Sequence, residues 1–127
     1  MIALGNDHTA LVIKKAVIEV LEEMGLPYKD VGTNASDSCD YPISGEAAAR
    51  LVASGECELG IVICGTGVGI GLAANKVKGI RCAMVSDVYT AVMARRHNDA
   101  NMVSLGARVA GPGAAQMIVR SFLTSSF

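Results

Sequence analysis

A chain of 127 residues suits one domain with a real core and is too short for two comfortable ones. Its 51% hydrophobic content, 3 prolines and formal net charge of -1 exclude a disordered segment and give no footprint for nucleic acid or an acidic membrane surface. No run is long enough to span a bilayer, the start Met1-Ile2-Ala3-Leu4-Gly5 lacks a signal-peptide pattern, and the four cysteines contain no C-x-x-C pair; a cytoplasmic chain with reduced thiols and no zinc site is expected.

Ile2-Ala3-Leu4 reads as a first strand, followed by the polar turn Gly5-Asn6-Asp7-His8. From Ile13, the positions Val17, Val20, Leu21 and Met24 share one helical face, with Lys14, Glu22 and Glu23 toward water. Gly25 and then Pro27 stop that helix. Tyr28 to Val31 forms a second strand, Thr33 to Tyr41 a loop, and Ser44 to Ser54 an alanine-rich helix ended by Gly55.

Leu59 to Ile63 is the third strand and runs into Cys64-Gly65-Thr66-Gly67-Val68-Gly69-Ile70-Gly71-Leu72-Ala73, which leads to a helix start at Ala74-Asn75-Lys76. Cys82 to Val85 follows, then a helix from Asp87 to Arg96 with Asp87 as N-cap and Arg95 and Arg96 near the negative end of its dipole. Met102 to Leu105 is a fifth strand, and Gly113 to Leu123 a last amphipathic helix. Strands alternating with helices predict an α/β fold, a parallel sheet covered on both faces, with ligands at the carboxyl ends of the strands. The ending at Phe127, without cap or polar exit, favours a C-terminal tail beyond a single domain over residues 1–127.

Several residues at those ends can carry chemistry. A strand feeding a glycine turn and a helix start aims several N–H groups into one space, favouring a thiolate at Cys64 and any anion beside it. Such a thiolate can attack a carbonyl or take a proton from the carbon next to one. The plainer reading is a buried small hydrophobe; the glycine loop tips the balance. Gly65, Gly67, Gly69 and Gly71 do not match a phosphate loop with its Lys-Ser/Thr ending, but they let backbone donors approach closely. Thr66 can exchange hydrogen bonds with two neighbouring oxygens or simply cap the turn. His8 can bind phosphate or cap a helix, and His97 can handle a hydroxyl proton or sit at a helix dipole. Arg108 is a candidate oxyanion clamp, and Tyr41 can cover a pocket or merely pack. For Asn75 and Asn98, capping and ligand binding both stay open.

Taken together, Gly5-Asn6-Asp7-His8, Asp40-Tyr41-Pro42, Cys64-Gly65-Thr66-Gly67-Val68-Gly69, Ala74-Asn75-Lys76-Val77, Gly79-Ile80-Arg81 and His97-Asn98-Asp99-Ala100-Asn101 resemble the ribose-5-phosphate isomerase B family, which includes galactose-6-phosphate isomerase subunits. The resemblance spans nearly the whole chain. It implies a three-layer Rossmann-like domain with a five-stranded parallel sheet, in a homodimer or dimer of dimers whose sites use both subunits. It also implies an aldose–ketose isomerase for ribose 5-phosphate and ribulose 5-phosphate, acting without metal or organic cofactor.

By that likeness Cys64 is the base between C1 and C2, Thr66 moves protons between O1 and O2, and the amides of Gly65, Gly67 and Gly69 hold a cis-enediolate. His97 assists ring opening from the facing subunit. Asp7, Tyr41 and Asn98 position the sugar; His8 and Arg108 hold phosphate. A related branch uses a glutamate where this chain has Ile70, which leaves Cys64 as the base. Two departures stand out: relatives have Ala-Gly where this chain has Thr9-Ala10, and they continue into a Gly-Gly-Arg-His segment beyond this endpoint. A hexose phosphate or free-sugar isomerase, or a noncatalytic sugar-phosphate binding subunit, are the alternatives.

Overall fold

The apolar strands and amphipathic helices assemble as a layered α/β structure in a computed structural model that describes residues 1–35 and 41–127, with the Tyr41 side chain excepted. Cys39 and Asp40 lie outside the described residues. The strands β1 (Ile2–Asn6), β2 (Tyr28–Asp30), β3 (Leu59–Cys64), β4 (Cys82–Met84) and β5 (Met102–Gly106) form one sheet in the order β2-β1-β3-β5-β4, every pairing parallel. The helices are α1 (Leu11–Glu23), α2 (Tyr41–Ala53), α3 (Val68–Asn75), α4 (Val88–Arg96) and α5 (Pro112–Thr124). The five-stranded parallel sheet and flanking helices of the Rossmann-like expectation are present.

Side-chain alternation sends each central strand to two cores. Leu4, Ile61 and Ile63 join Val17, Leu21 and Phe122 in one cluster, under α1, α4 and α5. Ala3, Val62 and Cys64 join Ala48, Ile70 and Met102 in the other, under α2 and α3. Full burial of a side chain such as Phe122 contributes about 1.5–3 kcal/mol. The close packing of α2 has a physical cause. A Cβ on Gly5 would lie 2.8 Å from the Ser44 carbonyl oxygen, and one on Gly45 would lie 2.9 Å from that of Ile70. Only small residues allow α2 to approach β1 and α3 this closely.

The expected caps are present. Thr90 N–H donates to Asp87 Oδ1 at 2.7 Å, and this bond with that from the Thr90 hydroxyl holds the Asp87 carboxyl below its ordinary value. Gly25 takes φ +67° and ends α1, with Leu26 N–H closing onto the Leu21 carbonyl.

Two expectations are corrected. Lys14 does not face water: it is 2% exposed, and its Nζ reaches Asp30 Oδ2 at 2.7 Å, Asn34 Oδ1 at 2.9 Å and the Thr33 carbonyl at 3.0 Å. These three acceptors replace the water it gives up. The third helix starts at Val68, not near Ala74, so Gly69 and Gly71 are helical. Gly71 is glycine because a Cβ there would stand 2.6 Å from Ser104 Oγ; α3 lies almost directly on β5.

Candidate functional site

Chain order places a crevice at one edge of this sheet. β2 lies on one side of β1 and β3 on the other, so the connections leaving β1 and β3 diverge at their carboxyl ends. β1 delivers Asp7, His8 and Thr9 there, β3 delivers Cys64, and β5 delivers Arg108. Asp7 N–H donates to the Ile63 carbonyl at 3.1 Å, fixing the first turn against the end of β3.

Cys64 is 5% exposed, with its sulfur on the α2–α3 side. Gly67, at φ +84°, forms the left-handed turn that opens α3, and its N–H donates to Cys64 Sγ at 3.2 Å. That is the contact an anionic sulfur would accept most strongly. Val68 N–H donates to Thr66 Oγ1 at 3.2 Å, so the exposed Thr66 caps the turn through its hydroxyl. The first intrahelical bond runs from Gly71 N–H to the Gly67 carbonyl. Among the described residues no hydrogen bond engages the amides of Gly69 and Ile70, which are the donors α3 offers to an anion.

Gly65 lies against both Arg108 and Thr9. The Arg108 N–H donates to the Gly65 carbonyl at 2.9 Å, which folds Arg108 back over the glycine. A Cβ on Gly65 would lie 3.6 Å from Arg108 Nη1 and 3.7 Å from Thr9 Oγ1. Asp7, 6% exposed, accepts from Thr9 N–H at 2.9 Å and from the Thr9 hydroxyl at 2.6 Å, both on Oδ1. His8 opens the short 3-10 turn His8–Ala10 that follows.

The structure therefore gathers Asp7, His8, Cys64, Gly65, Thr66, Gly67, Gly69 and Arg108 at one edge. Tyr41 is the first residue of α2, whose Ser44 carbonyl lies against Gly5. His97 and Asn98 are elsewhere. His97 caps the carboxyl end of α4, and the chain enters β5 with Gly60 N–H donating to the Asn101 carbonyl. Gly60 is four strand positions from Cys64, so about 13 Å of sheet separates the two edges within one chain. His97 and Asn98 are exposed there.

The ambiguity over Asn75 is resolved. Its amide brackets the backbone of Cys82, donating to the carbonyl at 2.8 Å and accepting from the N–H at 2.7 Å, so it holds edge strand β4 onto α3. Cys82 itself is pushed up to about 12 by burial, which leaves its thiol inert near neutral pH. Sequence reasoning passed over two residues behind the site. Asn6 Nδ2 donates to the Asp7 and Thr33 carbonyls, and that Thr33 carbonyl also accepts from Lys14. A cleft of about 600 Å³ opens between α2 and α3, lined in part by Glu46, Arg50, Gly69, Leu72 and Lys76.

Fold and site together define a Rossmann-like α/β protein whose switch-point crevice carries a thiol under a helix N-terminus. The chain belongs to the Ribose/Galactose Isomerase family, whose model matches residues 2–127. It is 44% identical over 126 residues to ribose-5-phosphate isomerase B of Escherichia coli, covering 99% of this chain and 85% of that protein. It is 45% identical over 127 residues to a galactose-6-phosphate isomerase subunit of Clostridium acetobutylicum, covering 100% of this chain and 73% of the other. Among solved structures, ribose-5-phosphate isomerase B of Clostridium thermocellum superposes with a TM-score of 0.97 at 47% identity, over 99% of this chain and 85% of that one.

Proposed function

We propose that this chain is a sugar-phosphate isomerase that interconverts ribose 5-phosphate and ribulose 5-phosphate, with Cys64 as the base and no metal or organic cofactor. The observation that carries the reading is the Gly67 N–H donated to Cys64 Sγ at the switch point of the sheet. In the forward direction the Cys64 thiolate takes the proton from C2 of the open-chain aldose. The C2–H electron pair becomes the C1=C2 bond of a cis-enediolate, and negative charge moves to O1. The thiol then returns a proton to C1, while Thr66 passes the hydroxyl proton from O2 to O1.

Preorganised donors favour this path because charge on O1 grows as the C–H bond breaks. The amides of Gly65, Gly67 and Gly69 line the loop where that charge forms, and removing one comparable donor costs about 2.7–4 kcal/mol in another enzyme's oxyanion hole. Asp7, Tyr41 and Asn98 position the sugar, and His8 and Arg108 hold the phosphate. His97 opens the ring from the facing subunit of a homodimer; its place at the far edge of its own sheet supports that division between chains.

A six-carbon substrate is the second reading, favoured by the near-equal identities to the ribose and galactose relatives, 44% and 45%. The test is isomerisation of five- and six-carbon sugar phosphates by the wild-type chain, Cys64→Ala and Cys64→Ser. The account expects turnover of ribose 5-phosphate by the wild type and its loss in both variants. Unchanged turnover in Cys64→Ala removes the proposed base, and a preference for the six-carbon sugar replaces the ribose assignment.

A further inference from the structure

Thr9 does two things at the site that none of the roles above uses. Its backbone N–H and its hydroxyl both donate to Asp7 Oδ1, at 2.9 Å and 2.6 Å. A carboxylate oxygen with two donors has both lone pairs engaged, so the accepting capacity that Asp7 keeps for another molecule lies on Oδ2. With Asp7 only 6% exposed, the carboxylate cannot turn freely to exchange the two oxygens. The same Thr9 Oγ1 stands 3.7 Å from the position a Cβ on Gly65 would take, and Arg108 Nη1 stands 3.6 Å from it. The space over Gly65 is therefore bordered by a neutral hydroxyl and a guanidinium, both within contact distance of a single added carbon.

We propose that Thr9 is a specificity-determining residue: its hydroxyl fixes which oxygen of Asp7 meets the sugar, and its bulk sets the length of chain that fits between Cys64 and the phosphate. This rests on the isomerase reading, in which Arg108 holds phosphate and Cys64 the reacting carbons. A substrate held at both ends and lengthened by one carbon must bow outward, and over Gly65 it meets Thr9. A single carbon in a fitted slot is worth about tenfold or more in discrimination.

The two roles separate by substitution. Thr9→Val keeps the bulk and removes the donor, Thr9→Ser keeps the donor, and Thr9→Ala removes both. The backbone N–H bond to Asp7 is available in all three, so the turn is retained. The measurement is calorimetric binding of a linear pentitol 5-phosphate and a linear hexitol 6-phosphate, which have no carbonyl and cannot isomerise. The wild type is expected to bind the five-carbon polyol about tenfold more tightly than the six-carbon one. Thr9→Ala loses that preference, because its six-carbon binding, relieved of the bulk, gains relative to Thr9→Val while its five-carbon binding does not. Thr9→Val keeps the preference but binds both polyols more weakly, and Thr9→Ser behaves as the wild type. Equal ratios in the wild type and Thr9→Ala, no preference in the wild type, or no binding of either polyol would overturn the proposal. Failure of the wild type to turn over ribose 5-phosphate overturns the isomerase reading instead, and the polyol ratios judge Thr9 independently of it.

Discussion

Gly67→Ala tests whether the turn beneath Cys64 is dictated by sterics. At φ +84° any residue with a Cβ pays about 1–2 kcal/mol for the left-handed conformation. The new Cβ would also lie 2.9 Å from the Leu105 carbonyl carbon and 3.1 Å from its oxygen. Those atoms belong to β5 in the middle of the sheet and cannot withdraw, so overpacking adds about 1–3 kcal/mol. The total is about 2–5 kcal/mol, a large share of a typical domain's stability. Gly25→Ala isolates the conformational part, because Gly25 has φ +67° and nothing within 4 Å of its Cβ position. Urea unfolding followed by far-UV circular dichroism, at one protein concentration, gives both values. The expected excess for Gly67→Ala over Gly25→Ala is about 1–3 kcal/mol. Relief of the clash also carries the Gly67 N–H away from Cys64, and a shift of about 1 Å should cost roughly a hundredfold in turnover. An alanine at position 67 no more disruptive than one at position 25 would refute the steric argument.

Lys14→Met should destabilise by about 3 kcal/mol in the same unfolding assay, because it leaves Asp30 without its ion-pair partner and the Thr33 carbonyl without one donor; a neutral effect would mean that water replaces the lysine at no loss. Peptide mapping after iodoacetamide treatment at pH 8 should find Cys82 almost unmodified in the native protein, since a thiol pushed up to about 12 is about one part in ten thousand thiolate there. In urea Cys82 should label readily, and equal native labelling would contradict its burial. Refolding Cys64→Ala together with His97→Ala, each inactive alone, should restore about a quarter of wild-type activity if each site draws on both subunits of a dimer. No recovery would place the two residues in one chain's site.

Local signals were readable wherever local physics decides. The apolar runs of β1 and β3, the Asp87 cap and the Gly25 stop all follow from neighbours within one or two turns. The gathering of Asp7, Cys64 and the glycine run also followed, because parallel strands bring their carboxyl ends to one edge. What stayed hidden depends on contacts far along the chain. Lys14 looks like a surface lysine until β2 and the loop after it bring Asp30, Thr33 and Asn34 to it. Gly71 looks like part of a flexible loop until Ser104 of β5 is seen beneath it, a consequence of β5 entering the sheet between β3 and β4. Thr9 could be noted as a departure from relatives, but its double bond to one oxygen of Asp7 is visible only in three dimensions.

The most direct test of Cys64 as the proton carrier is isomerisation of ribose 5-phosphate in deuterium oxide, with the ketose product read by nuclear magnetic resonance. Wild-type protein should place deuterium at C1 of ribulose 5-phosphate as the thiol exchanges with solvent, and Cys64→Ala should place none. Deuterium entering C1 at the wild-type rate in Cys64→Ala would contradict the account.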